Sequence, residues 1–215
     1  MSKARLIHHT PLIVASEAIR TCWQSFDKSD SEDGQCGEKD KELIHRVGNQ
    51  FKHASTLEHL NYSFYLTISR AVLQELARHR MASLSVKSTR YTLKELKKEE
   101  PFSEESKDRA SKYVVFTGNE LVDKHIIKAL NNLLEVIQSG VANDVSKYCL
   151  PEAYKTELTW TCNARALQNF LSLRTNKAAL WEIRELAMDV YECLPSEHKY
   201  LFEEFIYQPK IEAKS

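Results

Sequence analysis

The sequence predicts an α+β fold in which helices surround a small, mainly antiparallel sheet. Two stretches, 62–69 and 154–162, alternate between two faces with a period of two, as half-buried strands do. Between them, residues 121–137 place Leu, Ile and Val at helical spacing over the longest such run in the chain. No internal repeat or low-complexity tract divides the 215 residues, so we expect a single domain over residues 1–215.

The first part of the chain predicts helices separated by one polar loop. Residues 11–25 fit a short extended entry followed by a helix, and the polar, Gly-containing residues 27–40 predict a solvent loop. A helix is expected over 41–52. After the first strand, the apolar spacing predicts a helix of about ten residues that ends near Arg80. Residues 82–91 favour extended or loop backbone.

The second part begins with a charged stretch. Residues 94–112 are rich in Lys and Glu and predict a solvated excursion. Thr117 and Glu120 form a capping-box pattern at the start of the longest helix, which should stop near Gly140. A second helical stretch reaches Pro151. The remaining predicted helices are 164–174, 177–193 and a short one at 197–206.

Composition narrows the classes of function. The chain has 30 basic and 30 acidic residues, and this neutral balance argues against a nucleic-acid-binding domain or an anionic membrane surface as partner. Its five cysteines form no CxxC pair, which argues against a disulfide scaffold or structural zinc site and favours a reducing cytoplasm. The N-terminal apolar run is too short for a signal peptide or membrane anchor. With five glycines and no G-x-G-x-x-G, a Rossmann dinucleotide site is excluded.

The densest chemical signal is the cationic run Arg78, His79 and Arg80. One interpretation is a helix end, where cations complement the helix dipole. However, no acidic residue lies between Arg78 and Arg90, and Lys87 adds another cation. Because helical residues turn by about 100°, Arg78 and Arg80 would point in nearly opposite directions and could serve two ligands, or one ligand where subunits meet.

Further polar clusters lie on both sides of this run. Ser88 and Arg90 are two apart, so extended backbone would place a hydroxyl and a guanidinium on one face, which suits a phosphate. Arg165 and Asn169 share a helix face, which is equally the pattern of a polar face in water. The last cluster is His53, Ser55, Glu58 and His59, whose spacing matches no common metal site.

Six segments resemble the flavin-dependent thymidylate synthases. RHRMASLSVKS at 78–88 matches the RHR-x7-S signature of that family, and the similarity extends in order over roughly residues 10–205. The other matching segments are HASTLEH at 53–59, STRY at 88–91, CLP at 149–151, NARALQNFLSLR at 163–174 and WEIR at 181–184.

The resemblance implies a methyltransferase that converts dUMP to dTMP. It implies FAD as the hydride carrier, NADPH as the reductant, 5,10-methylenetetrahydrofolate as the carbon donor, and a homotetramer with active sites at subunit interfaces. Arg174 is the implied catalytic residue. The residues implied for FAD are Ser55, Arg78, His79, Arg80, Asn163, Arg165 and Asn169, with His53 and Glu58 as weaker candidates. Those implied for dUMP are Gln74, Glu75, Arg78, Val86, Lys87, Ser88, Thr89, Arg90, Lys147 and Arg174.

The sequence departs from the family pattern at three places. Glu75 stands where the family usually has Gln, Ser85 and Val86 replace Asn-Glu, and Lys147 replaces Arg. These changes affect the implied dUMP contacts more than the flavin contacts. Two other functions therefore stay open: a nucleic-acid-binding module, which should be basic, and a nucleotide-binding protein without catalysis, which should retain flavin without turnover.

Overall fold

The computed structural model describes residues 2–89 and 93–208, and it confirms the α+β class. The described strands form a four-stranded antiparallel sheet in the order β1-β2-β4-β3. They are β1 (Lys3–His9), β2 (Asn61–Ser69), β3 (Ala82–Val86) and β4 (Lys155–Asn163). The α-helices are α1 (Ile13–Trp23), α2 (Glu38–Ile44), α3 (Arg70–Leu76), α4 (Lys107–Ala110), α5 (Glu120–Gln138), α6 (Asn143–Ser146), α7 (Ala164–Arg174) and α8 (Trp181–Glu192).

The described residues divide into two compact units. Within the described residues, the first unit comprises 2–3, Leu66–Arg78, 84–89 and 93–159, and the second comprises Ala4–Tyr65, His79–Ser83 and 160–208. The expectation of a single domain over the whole chain therefore stays a prediction.

The two alternating stretches are the central strands, as predicted. In β2 and β4 every second residue is buried. In the second unit, the ring of Trp160 lies 5.8 Å from that of Phe64 and 5.0 Å from that of Phe170, between centroids. Each buried aromatic ring of this kind contributes roughly 1.5–3 kcal/mol to stability. The strand β1 was missed, because as an edge strand it buries no residue fully and carries no apolar period.

The charged stretch 94–112 is not the solvated excursion that we expected. Leu96, Phe102 and Ala110 are almost fully buried against α5 in the core of the first unit. Asn131 fixes this packing, since its side chain accepts from the Phe102 amide and donates to the Phe102 carbonyl, both at 2.8 Å. The Lys and Glu residues cover the outside of a segment that a few apolar side chains anchor.

The longest helix was predicted correctly, but its cap was not. Asn119 caps α5, because its side-chain oxygen accepts from the Val122 amide at 3.1 Å. Thr117 instead donates its amide and hydroxyl to Asp123, at 2.7 and 3.0 Å. As expected, α5 stops before Gly140, whose φ of +89° suits glycine.

The predicted solvent loop 27–40 ends in a buried ion pair. Asp40 is fully buried, and Arg20 donates to its carboxylate from Nε, at 2.8 Å, and from a terminal nitrogen. Ser29 and Ser31 donate to the other carboxylate oxygen at 2.7 and 2.6 Å. Burial opposes ionisation of Asp40, but the hydrogen bonds from Arg20, Ser31 and Ser29 outweigh it and lower the pKa of this carboxyl. Residues 29–37 are a mostly exposed loop, as predicted, but the prediction missed the buried end at Asp40, because its ionic partner lies twenty residues earlier.

Several helix bounds also differ from the expectation. The helix predicted at 41–52 begins at Glu38 and continues after Ile44 as a π-helix, His45–Gln50. The stretch before Pro151 is the short helix α6 followed by a 3₁₀ turn, Lys147–Cys149, and the last predicted helix consists of 3₁₀ turns. The helix expected at 177–193 begins at Trp181. None of the described helices is long and apolar enough to cross a membrane.

Candidate functional site

The cationic run lies beyond a helix rather than at its last turn. The helix α3 ends at Leu76, which is fully buried, and the Arg78 amide donates to the Glu75 carbonyl in a turn. Arg78 and Arg80 are exposed and His79 is half-buried. The prediction of a helix to Arg80 was therefore wrong, because the chain must turn after its last core residue to enter β3. The helical-rotation argument for Arg78 and Arg80 does not apply to this backbone.

Within the second unit, the run meets the predicted catalytic arginine. Arg174, the last residue of α7, donates from Nε to Nε2 of His79 at 3.0 Å. The His79 ring also packs edge-on against Phe170, with centroids 5.1 Å apart. Because Nε2 accepts this bond, a neutral His79 carries its proton on Nδ1. The contact fixes the guanidinium of Arg174 relative to the cationic run.

Of the polar candidates on α7, one caps the helix and two are exposed to solvent. Asn163 is the N-cap of α7, since its side-chain oxygen accepts from the Ala166 amide at 2.9 Å. The side-chain nitrogen of Asn163 is then the donor that a ligand can meet. Arg165 and Asn169 are both exposed, as the predicted shared face requires.

Segment 53–59 also belongs to the second unit and meets α7 through one ion pair. Ala54–His59 forms a 3₁₀ helix, on which Ser55 and Glu58 are exposed. Arg165 donates to Glu58 Oε1 at 2.7 Å, with the side chains 59% and 43% exposed. Two flavin candidates from distant parts of the sequence are thus in contact. Across residues 2–89 and 93–208, no group of three or more His, Cys, Asp or Glu residues is placed to hold a metal ion.

The first unit contains most of the residues implied for dUMP. Gln74 donates to both carboxylate oxygens of Glu152, at 3.0 and 3.1 Å. Lys87 follows β3, and its ammonium lies 3.2 Å from the Glu157 carboxylate. Glu75 is half-buried on α3, and Val86, the last residue of β3, is 41% exposed.

The remaining nucleotide candidates lie beyond strands or in turns. The strand β3 ends two residues before Ser88, so the extended backbone assumed for Ser88 is not that of the strand. Arg90 lies outside the described residues. Ser88 is exposed and Thr89 half-buried, while Lys147 is exposed in its 3₁₀ turn.

Sequence reasoning missed two lysines beside these candidates. A cavity of about 190 Å³ in the first unit is lined by Lys87 and Thr89, and also by Lys112 and Lys155. Lys155 donates to the Ser111 carbonyl. In sequence, Lys112 ends a charged run and Lys155 belongs to a strand, so neither stood out.

Three of the five cysteines lack the character of nucleophiles. Burial raises the pKa of the thiols of Cys36, Cys162 and Cys193, whereas a nucleophilic cysteine needs a lowered pKa. The exposed Arg, Lys, Ser and Asn side chains are instead donors for anionic and polar ligands.

Known proteins resemble this chain over nearly its whole length. Residues 5–198 match the family described as "Thymidylate synthase complementing protein". A flavin-dependent thymidylate synthase of Wolinella succinogenes is 65% identical over 198 residues, which are 92% of this chain and 95% of that protein. One of Campylobacter jejuni is 62% identical over 205 residues, which are 94% and 97% of the two chains.

A solved structure agrees with these relatives. It is the crystal structure of the Helicobacter pylori thymidylate synthase with FAD and dUMP, and it has a TM-score of 0.91 and 51% identity. It covers 97% of this chain and 100% of its own. The matched family model, the curated relatives and the shared fold lead to one conclusion. This chain belongs to the family of flavin-dependent thymidylate synthases.

Proposed function

We propose that this protein makes dTMP from dUMP by reductive methylation. In the balanced reaction, dUMP, 5,10-methylenetetrahydrofolate, NADPH and a proton give dTMP, tetrahydrofolate and NADP⁺. Family membership carries this proposal, and the contact between the RHR run and Arg174 at 3.0 Å supports it. The enzyme is accordingly a methyltransferase with FAD as its cofactor.

The second unit offers a donor set that fits FAD. Arg165, Asn169 and Ser55 are exposed, and a guanidinium, an amide and a hydroxyl can all donate to a pyrophosphate or to a flavin carbonyl. Glu58 holds Arg165 in a solvent-exposed pair, which contributes only about 0–1 kcal/mol, so Arg165 can reorient towards a ligand at small cost. We assign Arg78, His79, Arg80 and Asn163 to the same ligand. Bound FAD supplies hydride transfer, which no side chain can perform.

For dUMP, we assign the phosphate to cations and hydroxyls of the first unit. Ser88, Thr89 and Lys87 follow β3 directly, and Lys147 provides another ammonium. Arg90, outside the described residues, belongs to this set by resemblance. Lys147 supplies charge without the two-pronged hydrogen bonding of arginine, and Val86 offers only an apolar contact. Gln74, Glu75 and Arg78 complete the assignment.

Arg174 is the residue to which we assign catalysis. A guanidinium beside the uracil edge stabilises negative charge on the ring and thereby makes C5 more nucleophilic. His79 accepts from Arg174 Nε and so orients the guanidinium, whose terminal nitrogens we assign to the substrate. Proper orientation of this cation is therefore part of the chemistry.

We also infer a homotetramer, in which neighbouring subunits complete each active site. Exposed apolar side chains stand next to candidate residues in the sequence: Met81 after Arg80, Tyr148 after Lys147 and Leu173 before Arg174. Their exposures of 74%, 86% and 54% fit a contact with another subunit. Light scattering of the purified protein tests the assembly, and cell fractionation tests the cytoplasmic location that we propose.

An omission assay tests the proposed reaction. Purified protein is incubated with dUMP, 5,10-methylenetetrahydrofolate, NADPH and FAD, and nucleotides are separated by chromatography. We expect dTMP in the complete mixture and none when dUMP, the folate or NADPH is omitted. A folded, flavin-containing protein that forms no dTMP in the complete mixture would instead support a binding protein without catalysis.

A further inference from the structure

The second unit contains a cleft of about 620 Å³ that the proposed FAD and dUMP contacts leave largely unused. This volume lies in the range of small-molecule sites. Of the residues considered above for flavin, only His53 lines it. The side chains that give the cleft its chemistry are Trp23, Lys28, Lys39, Arg46 and Phe51.

Two aromatic rings at the cleft are held out in solvent. Trp23 is 76% and Phe51 is 61% exposed. Each is followed by a non-glycine residue with positive φ, Gln24 at 49° and Lys52 at 58°. A left-handed residue is a common way for a helix to end, and both rings stand at such an end: Trp23 is the last residue of α1, and Phe51 follows the π-helix.

Charge around these rings is positive. Lys28, Lys39 and Arg46 line the cleft with one acid, Glu42. In the described part of the chain, no ion pair links these three cations to a carboxylate. Arg20 also lines the cleft, but Asp40 already neutralises it. Two positive charges therefore remain in excess.

Hydrogen bonds between side chains and backbone fix the cleft wall. Arg20 is 5% exposed and donates to the carbonyls of Ser25 and Lys28, at 2.8 and 3.0 Å. Asp30 accepts from the Lys39 amide at 2.9 Å. These bonds fix the backbone from which Lys28 and Lys39 project. Arg46 lies on the π-helix, a rare geometry that occurs frequently at functional sites.

We propose that this cleft binds an anionic ligand that carries a planar ring, with the ring against Trp23 or Phe51 and the charges at Lys28, Lys39 and Arg46. The inference rests on the proposed function, because both co-substrates, the reduced dinucleotide phosphate and the folate, have this chemistry. Stacking on an aromatic side chain is favourable for any planar base, and a hydrogen bond to a charged group is stronger than one between neutral groups. His53 joins the cleft to the 3₁₀ helix that carries Ser55, so the ligand would lie beside the residues assigned to flavin.

Isothermal titration calorimetry of the flavin-loaded protein, with NADP⁺ and tetrahydrofolate as separate probes under anaerobic conditions, tests the proposal. We expect Arg46→Gln and Trp23→Leu each to weaken one probe about 10-fold or more, which is about 1.4 kcal/mol. If the variants lose affinity for NADP⁺, the dinucleotide is the occupant of the cleft. If they lose affinity for tetrahydrofolate, the folate is the occupant. Added salt should weaken probe binding more in the wild-type protein than in Arg46→Gln, because the variant has lost one charge contact with the probe.

Lys128→Gln is the matched control, since Lys128 is an exposed lysine of the first unit. It should change neither affinity by more than about twofold, because screened surface charges contribute little. Two outcomes overturn the proposal. One is unchanged affinity, or no binding of either probe, in folded, flavin-containing protein. The other is a change in oligomeric state without a change in affinity, which would make the cleft a subunit contact.

Calorimetry also separates this inference from the proposed function, because binding needs no turnover. If the protein makes no dTMP but binds a probe with an affinity that depends on Arg46, the proposed cleft ligand stands and the proposed reaction is rejected. If the protein forms dTMP but its affinities for both probes are independent of Arg46 and Trp23, the proposed reaction stands and the proposed cleft ligand is rejected.

Discussion

Two arginine–carboxylate pairs in the second unit have similar hydrogen bonds and opposite surroundings. Arg20 meets Asp40 with Nε to Oδ1 at 2.8 Å, and Arg165 meets Glu58 at 2.7 Å. The side chains of the first pair are 6% and 1% exposed, and those of the second 59% and 43%. The buried pair is enclosed by further donors and carbonyls, whereas the exposed pair borders solvent.

The comparison teaches that an ion pair's surroundings decide its role. A buried charge without its partner is costly, so the Arg20–Asp40 pair fixes the loop between α1 and α2. An exposed pair contributes little to stability and can exchange its partner for a ligand. Among the candidate binding residues, Arg165 and Lys87 form pairs of the second kind.

The largest expected effect is on the buried pair. Asp40→Asn should lower the free energy of unfolding by about 3–5 kcal/mol, since it leaves Arg20 buried without its counter-charge. Glu58→Gln is the matched control and should cost less than about 1 kcal/mol. Urea denaturation measures both. Equal losses in the two variants would contradict the division between the pairs.

Removal of the proposed catalytic cation comes next. Arg174→Ala should lower turnover about 10²–10³-fold, the effect of losing one donor to a developing negative charge. FAD content should stay that of the wild type, because the flavin contacts are assigned elsewhere. Steady-state rates and the flavin released on denaturation measure the two properties. Loss of flavin in this variant would show that Arg174 holds the cofactor.

A second buried polar contact extends the comparison to pH. The Tyr62 hydroxyl and Nδ1 of His198 share a hydrogen bond of 2.8 Å. Burial, helped by the nearby His9, lowers the pKa of His198 to about 4, against the opposing effect of Glu197. The unfolded chain, with an ordinary histidine pKa near 6.5, therefore binds the proton more readily. The free energy of unfolding should have its full value above about pH 6.5 and should fall by roughly 3 kcal/mol as the pH drops to about 4.

Denaturation curves at pH 7 and pH 5 check this effect. His198→Gln should lose less stability between these two values than the wild type, because its side chain does not titrate. His45→Gln, at a half-exposed histidine, is the control and should behave as the wild type. The same pH dependence in wild type and His198→Gln would rule out His198 as its source.

The exposed Arg165–Glu58 pair should affect FAD binding rather than stability. Arg165→Ala removes a charged donor and should weaken FAD binding about 10–100-fold, the equivalent of 1.5–3 kcal/mol for a hydrogen bond to a charged group. The free energy of unfolding of the flavin-free protein should change by less than about 1 kcal/mol. Equilibrium titration with FAD and urea denaturation supply the two numbers. Wild-type FAD affinity in this variant would remove Arg165 from the site.

The smallest expected effect concerns His79. His79→Gln keeps an acceptor near the position of Nε2, whereas His79→Asn places its oxygen near Nδ1. We expect His79→Asn to lower kcat about 10-fold relative to His79→Gln, since one hydrogen bond to a charged group orients Arg174. Binding of dUMP should differ less than kcat does. Identical kcat values would mean that the His79–Arg174 contact plays no part in turnover.

Much of the fold could be predicted because its signals are periodic. The alternation in β2 and β4 and the helical spacing in α5 are visible within short windows of sequence. In each of the two charged stretches, the prediction missed a buried anchor for a common reason. Their anchors, Asp40 and Phe102, are isolated residues whose partners Arg20 and Asn131 lie 20 and 29 positions away.

The candidate site divides in the same way. The RHR run and the face of Arg165 and Asn169 are local patterns, so sequence sufficed to select them. The contacts from Arg165 to Glu58 and from Arg174 to His79 span 107 and 95 positions, and only tertiary structure creates them. The assignments to FAD and dUMP themselves stay predictions.

Tritium release from dUMP labelled at C5 tests the central claim most directly, because the proposed reaction replaces the C5 hydrogen by a methyl group. Protein with FAD, 5,10-methylenetetrahydrofolate and NADPH should release tritium into water, and omission of NADPH should reduce the release to background. No release from folded, yellow protein in the complete mixture would contradict the account and make a nucleotide-binding protein without catalysis the better description.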